Sequence, residues 1–315
     1  MARAEVIVLT NCTNRKREAI PSSLRASSLP PGTYRKTSEV WLSRVGAARQ
    51  RFPANQLYCG RAVTETLSVG ETLGAEVAFV SAGLGIVEQF QQIPAYSLTA
   101  SLGHPDSVSE HITESYDPRL WWAALAHAQR AGHALARYID SCDASLVLVA
   151  MPSTYLAMVA TDLEELGTKV LGTIRLMGPR REEEVPECLR SVWLRYDSRL
   201  DNPETGFNGT ASDFPHRALR HFATNILQHN RYGSGPSHAE DVEKTLARFE
   251  AYLRPRGRTA SDQQVICEIA RLWKKHGGRR TLILRELRSV RRVACEQSRF
   301  RLLADEVEAN LNAAS

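Results

Sequence analysis

A polar loop after the first apolar run of the chain carries residue types that can bind a nucleotide. Glu5–Thr10 is apolar enough to form a buried strand, and Asn11–Arg17 follows it with two amides, a thiol, a hydroxyl and three cations. Amides can read the edge of a base, and cations can hold a phosphate. The predicted base contacts are Asn11 and Asn14, and the predicted phosphate contacts are Arg15, Lys16 and Arg17.

Cys12 in the same loop is a candidate nucleophile. No histidine is identifiable as its base, which favours a thiol that lines the pocket. The loop is not a Walker phosphate loop, because no glycine and no Gly-Lys-Ser/Thr follow the strand. The six cysteines form no Cys-x-x-Cys pair and have no neighbouring histidine ligands. We therefore expect no metal site, no disulfide and no cofactor.

A second loop of this kind follows the apolar run Val77–Val80. The run does not alternate with polar residues, which is typical of a strand covered on both faces in a parallel sheet. Ser81, Gly83 and Gly85 come next, and glycine lets backbone N–H groups approach a ligand at a strand end. An ordinary tight turn is the alternative interpretation. We expect the turn to close on a bound nucleotide.

Other predicted strand ends add aromatic and polar groups to the same pocket. Tyr58 and Tyr96 are expected to pack against the face of a base, although a tyrosine beside apolar residues is more often part of the core. Glu88 lies in a glutamine-rich segment that is a candidate lid over the strand end. Ser145–Ala150 is a third apolar strand, and a helix begins after it. Ser153 or Thr154 can cap that helix, and Ser153 and Tyr155 are predicted to line the pocket.

The alternation of strands and helices over about 200 residues predicts an α/β fold with a mostly parallel sheet flanked by helices. Pro118–Asp140 is predicted to be one helix, and Ser191–Tyr196 is a strand candidate. Asp213 stands at the start of another helix, with Pro215 in its first turn. Asp213 is expected to be a helix cap or a carboxylate that faces the pocket.

The segment Tyr232–Ser237 is rich in glycine and serine and is predicted to be the linker between two domains, 1–232 and 238–315. Between Arg254 and Arg301 there are 14 Lys and Arg residues against 4 Asp and Glu, whereas the whole chain has a net charge of +5. Such a segment implies a polyanionic partner, most often nucleic acid; a solvated helical surface is the alternative.

Apolar stripes predict three short helices in this basic segment. They suggest a helix-turn-helix-like DNA-binding domain, although the spacing also fits a plain helical bundle. The predicted DNA contacts there are Lys274, Lys275, Arg279, Arg280, Arg285 and Arg288, and Arg217 is added from the first domain.

The composition is that of an ordinary globular protein, with 43% hydrophobic and 24% charged residues among 315. No run approaches the roughly 20 apolar residues that span a bilayer. Met1–Glu5 leads directly into a strand-like run, unlike a signal peptide. We therefore expect a cytoplasmic protein without membrane partners; nothing in the sequence indicates its oligomeric state.

Five short segments occur in the order found in the YaaA-like superfamily, which the chain resembles over residues 5–225. These segments are Asn11–Lys16, Leu57–Gly60, Ser81–Val87, Ile93–Tyr96 and Ser153–Tyr155. The chain departs from YaaA itself in the first loop and in the long basic C-terminal extension. In its overall organisation it is similar to the Brig family of phage-defence DNA glycosylases.

The resemblance implies an enzyme that flips a modified base out of phage DNA and excises it, leaving an abasic site. In the Brig family this base is α-glucosylated 5-hydroxymethylcytosine. A carboxylate near the sugar would stabilise the positive charge that develops during cleavage, and Asp213 is the first candidate, with Glu88 second. Asn11 is a further catalytic candidate, and double-stranded DNA would be the partner.

Two other functions fit the same residues. A hydrolase or hydratase that alters a 7-deazaguanine base in nucleic acid would use Cys12 as its nucleophile. A non-catalytic DNA-binding protein of the YaaA stress-protection kind would bind any duplex without changing a base.

Overall fold

Apolar runs from distant parts of the chain form the centre of a five-stranded sheet. The structure is a computed structural model that describes residues 5–252 and 257–313. The strands are β1 (Val6–Asn11), β2 (Phe52–Pro53), β3 (Glu76–Ser81), β4 (Gly85–Glu88), β5 (Gln92–Ile93), β6 (Leu146–Ala150) and β7 (Ile174–Met177). The sheet has the order β4-β3-β1-β6-β7, with β4 antiparallel and the others parallel; β2 and β5 form a separate pair. The prediction of a mostly parallel sheet in an α/β fold is confirmed.

Helices connect and flank the strands, because neighbouring parallel strands need crossover connections. The α-helices of this part are α1 (Tyr34–Ala47), α2 (Ala54–Leu57), α3 (Arg61–Leu73), α4 (Pro118–Ala128), α5 (Ala134–Cys142), α6 (Ser153–Glu164), α7 (Thr168–Thr173), α8 (Phe214–His221) and α9 (Gly235–Leu246). Short 3-10 helices lie at Ser22–Leu24, Ala26–Ser28, Val108–His111, Glu182–Glu184, Glu187–Val192, Ser198–Asp201 and Pro203–Thr205, and a π-helical turn spans Phe222–Ile226.

The register of the sheet places the carboxyl ends of its central strands side by side. Thr10 near the end of β1 pairs with Ala150 at the end of β6, and Asn11 pairs with Val80 in β3. The chain continues from β1 to β3 on one side and later to β6 on the other, so the strand order reverses between β1 and β6. Open α/β sheets bind ligands at such a reversal point.

Two predicted elements have a different form. The helix predicted over Pro118–Asp140 is interrupted between α4 and α5, where Arg130 and His133 adopt φ values of 58° and 49° that no α-helix contains. The strand predicted over Ser191–Tyr196 is absent there, since a 3-10 helix runs through Val192 and only a single bridge joins Trp193 to β7.

The described residues form two compact units that divide after Tyr252. The linker predicted over Tyr232–Ser237 therefore does not separate domains: Ser234 caps α9, which belongs to the first unit. His238 in α9 accepts a hydrogen bond through Nδ1 from Nε of the buried Arg175 at 2.8 Å, and Leu246 joins the core of that unit.

The second unit has its own apolar core. Its helices are α10 (Asp262–His276), α11 (Arg280–Ser289) and α12 (Gln297–Ala313). The core side chains that these helices share include Val265, Ile269, Leu272, Ile283, Leu287, Phe300 and Val307. Met1–Ala4 and Arg254, on which predictions were made, lie outside the described residues.

Across residues 5–252 and 257–313, no helix combines the length and the apolar character needed to cross a membrane.

Candidate functional site

The side chains at the reversal point contact each other across the two strands that flank it. Cys12 follows β1, and Tyr155 lies in the first turn of α6 after β6; the thiol sulfur is 3.4 Å from the tyrosine hydroxyl. Both side chains are buried. Burial raises the pKa of Tyr155 well above its usual value, so the phenol stays protonated and can donate a hydrogen bond.

Three hydroxyls form a second hydrogen-bonded group at the carboxyl end of β3. The Tyr58 hydroxyl lies 2.8 Å from that of Tyr96, which lies 2.5 Å from Oγ of Ser81. The serine oxygen also accepts hydrogen bonds from the N–H groups of Gly83 and Leu84, at 3.2 and 3.1 Å. Burial raises the pKa of both tyrosines well above the usual value, so their hydroxyls stay protonated and uncharged.

Lys16 brings an amine onto this group of hydroxyls. Its Nζ lies 4.2 Å from the ring centroid of Tyr96 and 5.1 Å from that of Tyr58, and it donates a hydrogen bond to the carbonyl of Thr13. Within the described residues no carboxylate forms an ion pair with it. We call Lys16, Tyr58, Ser81 and Tyr96 the tyrosine–lysine cluster.

The surroundings of Lys16 make its amine easier to deprotonate. Desolvation by burial lowers the pKa of the amine to about 8, and the attraction of Cys12, Cys59 and Asp106 only partly opposes this effect. A lysine with a lowered pKa can act as a nucleophile near neutral pH, whereas an exposed lysine is almost entirely protonated there.

The inward position of Lys16 differs from the prediction, which placed all three cations of the loop on phosphate. An antiparallel bridge between Lys16 and Tyr58 directs this residue inward, whereas Arg15 and Arg17 are exposed. Nothing in the sequence distinguishes these cations, because the bridge joins segments more than forty residues apart. Phosphate contact by Arg15 and Arg17 stays a prediction.

The amides of the first loop are partly exposed, as a base-reading role requires. Asn11 donates a hydrogen bond from Nδ2 to the carbonyl of Cys12 at 2.9 Å, and its buried Oδ1 has no partner among the described residues. Asn14 is half-buried. Ser153 does not cap α6 as expected, because Pro152 occupies the N-cap position.

The glycine-containing turn after β3 packs against the ring of Tyr96. Its carbonyls accept hydrogen bonds from two indoles: Trp121 bonds to Ala82 at 2.7 Å, and Trp41 bonds to Gly83 at 2.6 Å. A Cβ atom on Gly83 would lie 2.8 Å from the ring of Tyr96. Gly85 is buried as well and has a φ of 78°. The expectation that this turn closes on a nucleotide is wrong, because its backbone is enclosed by protein.

Glu88 lies away from the reversal point. β4 runs antiparallel to β3, so Glu88 pairs with Ala78, three residues before the carboxyl end of β3. At about 3.4 Å per residue this is roughly 10 Å from Ser81 along the strand. Its side chain is exposed beside a cavity of about 600 Å³ that Gln129, Arg137 and Tyr138 also line. The structure therefore does not place Glu88 with Tyr58 and Tyr96, as the predicted lid required.

Asp213 and Arg217 belong to a second polar group in the same unit. Arg217 has no exposed surface, and its Nε lies 2.7 Å from Oδ1 of Asp213 while its Nη2 lies 2.9 Å from Asp201. The same guanidinium donates hydrogen bonds to the carbonyls of Phe207 and Thr210, each at 2.7 Å. We call Asp201, Asp213 and Arg217 the arginine–aspartate cluster.

This cluster overturns the DNA contact predicted for Arg217, because a guanidinium without exposed surface cannot reach a phosphate. Asp213 does not cap α8 with its side chain; its carboxylate pairs with Arg217 and lies 3.6 Å from Arg61. No hydrogen bond or ion pair joins Asp213 to the tyrosine–lysine cluster within the described residues. A catalytic role for Asp213 stays a prediction.

The six cations predicted to bind DNA in the second unit fall into two classes. Lys275 pairs with Glu286 at 2.8 Å, and Arg280 pairs with Asp305 and Glu308 at 2.5 and 2.6 Å. The other four are exposed and have no carboxylate partner within the described residues; they are Lys274, Arg279, Arg285 and Arg288.

Across the described part of the chain, no group of three or more His, Cys, Asp and Glu side chains is arranged to hold a metal ion. No protein-family model matches the chain, and neither a curated protein nor a solved structure shows significant similarity to it.

Proposed function

We propose that this protein is a DNA glycosylase that removes a modified base from phage DNA in antiviral defence. The observation that carries the proposal is the amine of Lys16, which lies on Tyr58 and Tyr96 at the carboxyl edge of the sheet without a carboxylate partner among the described residues. A glycosylase needs a group that reacts at the sugar carbon bearing the base, and a neutral amine is such a nucleophile.

In the proposed reaction, the neutral amine of Lys16 attacks C1′ of the deoxyribose. The bond between C1′ and the base breaks, its electron pair leaves with the base, and the base takes up the proton that Nζ loses. The remaining amine proton moves to the ring oxygen as the sugar opens, which gives an imine between Nζ and C1′. Water hydrolyses the imine, leaves an abasic site and restores the amine.

The neighbours of Lys16 have defined roles in this proposal. The rings of Tyr58 and Tyr96 pack against Nζ, and the neutral hydroxyls of Tyr58, Tyr96 and Ser81 place no negative charge of their own beside the amine. Asn11 and Asn14 read the edge of the extruded base. The exposed cations of the second unit supply phosphate contacts whose strength falls with salt.

The first experiment tests the reaction itself. The protein is incubated with T-even phage DNA, which carries glucosylated hydroxymethylcytosine, and with unmodified DNA of the same length. We expect free modified base and abasic sites from the phage DNA alone, measured by mass spectrometry and by an aldehyde-reactive probe. Salt-sensitive binding to both DNAs without any chemical change would contradict the glycosylase and favour a non-catalytic DNA-binding protein.

One observation favours a second function. Sγ of Cys12 lies 3.4 Å from the hydroxyl of Tyr155, which can donate a proton to a group that the thiol attacks. This arrangement fits a hydrolase or hydratase that alters a 7-deazaguanine base within DNA. That function predicts a changed nucleoside mass without base release, and it predicts that Cys12→Ala is more damaging than Lys16→Met.

A further inference from the structure

The second unit contains two helices joined by a turn of three residues. α10 ends at His276, and the turn contains Gly277 and Gly278 with φ values of 55° and 71°, a conformation that favours glycine. α11 begins at Arg280 and packs Ile283 and Leu287 into the core of the unit. A short turn between two packed helices is the arrangement of helix-turn-helix proteins, whose second helix enters the major groove of DNA.

The charges of this unit are not spread evenly. Glu268 offsets cations near α10, since it lies within 3.8 Å of Arg258, Arg271 and Arg291. Glu286 faces α10 and pairs with Lys275 and His276. The cations without a carboxylate partner among residues 257–313 are Lys274, Arg279, Arg285, Arg288, Arg292 and Arg301. Five of these six lie between the end of α10 and the residues just after α11.

The outer face of α11 carries polar groups that no other part of the described unit covers. Thr281, Arg285 and Arg288 are spaced by four and three residues, so they lie on one side of the helix, opposite Ile283 and Leu287. Arg288 is held by a hydrogen bond from Nε to the carbonyl of Cys295 at 2.9 Å. Arg285 makes no side-chain hydrogen bond or ion pair among the described residues and extends freely from the middle of the face.

We propose that α11 is a recognition helix that enters the major groove of duplex DNA, and that Arg285 reads a guanine there. Arg288 and Arg279 then bind phosphates on either side of the groove. The inference rests on the part of the proposed function that makes duplex DNA the partner, and it is independent of base excision. It implies that the protein prefers particular sequences in addition to particular base modifications.

Arginine suits this role because its fork of N–H groups matches the O6 and N7 atoms of guanine, and such a contact discriminates between bases by about tenfold or more. Thr281, one turn before Arg285, can contact the neighbouring base pair. A cation that only binds phosphate would raise affinity for every sequence equally. The inference therefore concerns sequence preference as well as affinity.

The experiment selects bound duplexes from a random, unmodified library with the full-length protein and then measures binding to the selected sequence at fixed salt. We expect a selected sequence that contains an essential guanine. Arg285→Ala should weaken binding to that sequence about tenfold or more and remove the preference for guanine. Arg285→Lys keeps the charge but should also lose this preference, because an ammonium has no bidentate fork.

Arg301→Ala is the matched control, since Arg301 is equally exposed and unpaired but lies on α12. It should leave the selected sequence unchanged and lower affinity much less. If no sequence is enriched, or if Arg301→Ala and Arg285→Ala weaken binding equally for all sequences, the unit binds phosphate alone and the inference is overturned.

Each variant is compared by thermal unfolding, and neither side chain makes a contact whose loss would unfold the unit. The experiment measures binding alone, so a protein that proves unable to excise bases could still show the expected sequence preference.

Discussion

Two groups of polar side chains lie in the first unit, one around the buried Arg217 and one around the half-buried Lys16, and they hold their cations in different ways. In the arginine–aspartate cluster, Arg217 is enclosed by the carboxylates of Asp201 and Asp213 and by two backbone carbonyls. In the tyrosine–lysine cluster, Lys16 meets aromatic rings and one backbone carbonyl. The first arrangement satisfies a permanent charge, and the second lowers the pKa of an amine to about 8.

The difference lies in whether the buried cation can lose its proton. A guanidinium stays charged at every accessible pH and is stable in a buried site only when hydrogen-bond acceptors, such as carboxylates and carbonyls, surround it. An amine can lose its proton, so a buried site without a carboxylate shifts it toward the neutral, reactive form. Under the proposed function, we therefore expect the arginine–aspartate cluster to stabilise the fold and the tyrosine–lysine cluster to take part in the reaction.

The largest expected effect follows from removing the amine. Lys16→Met keeps the length of the side chain but has no nucleophile, so we expect base excision to fall by at least about 10³-fold. Binding of the same DNA should change little. Arg15→Ala removes a neighbouring exposed cation and should retain most of the activity. Equal losses from both substitutions would show that the loop contributes charge and no nucleophile.

Removing the buried guanidinium should instead affect stability. Arg217→Met leaves two buried carboxylates without their main partner, and we expect the free energy of unfolding to fall by about 3–5 kcal/mol in denaturant titrations. Arg195→Ala is the control; that side chain is 73% exposed, so its pair with Glu182 should contribute no more than about 1 kcal/mol.

Asp213→Asn decides whether this cluster also takes part in the reaction. We expect this variant to be less stable and to excise bases at a rate that matches its folded fraction. A variant that is fully folded and inactive would instead make Asp213 the catalytic carboxylate, as the sequence first indicated.

The pH dependence of excision tests whether the reacting cation is Lys16, which can lose its proton, or Arg217, which cannot. Only the neutral amine of Lys16 reacts, so the rate should rise about tenfold per pH unit below its pKa of about 8 and level off above it. The measurement is the single-turnover rate of base release between pH 6 and 9. A rate that does not change with pH over this range would remove Lys16 from the reaction.

The smallest expected effect comes from the turn behind the tyrosines. Gly83→Ala places a Cβ atom against the ring of Tyr96, so we expect a loss of stability of about 1–3 kcal/mol and a slower reaction. Gly46→Ala, in α1, meets no atom within 4 Å and should raise stability by about 0.5–1 kcal/mol. Thermal unfolding of both variants checks the opposite signs.

The sheet and the grouping of polar side chains at its carboxyl edge could be predicted from the sequence because both depend on local patterns. The uninterrupted apolar runs of β1, β3 and β6 identify buried parallel strands, and the loops at their carboxyl ends must meet at one edge. This reasoning found Cys12, Tyr58, Tyr96 and Tyr155 as neighbours.

The roles within the site depend on long-range contacts that no local pattern reports. Lys16 turns inward through its bridge to Tyr58, and the buried Arg217 pairs with Asp201, which lies in a separate 3-10 helix. Glu88 leaves the site because β4 runs antiparallel to β3. The helix breaks between α4 and α5 because Arg130 and His133 adopt left-handed backbone conformations. Glycine favours such a conformation more strongly than arginine or histidine does, so these residues do not predict the break.

The most direct test of the central claim is reductive trapping of the proposed imine. The protein is mixed with T-even phage DNA fragments and sodium cyanoborohydride, digested, and analysed by mass spectrometry for a deoxyribose adduct. We expect a covalent protein–DNA product with the adduct on Lys16, its absence from Lys16→Met, and none with unmodified DNA. Base release from phage DNA without any trapped product, or an adduct on another residue, would contradict Lys16 as the nucleophile.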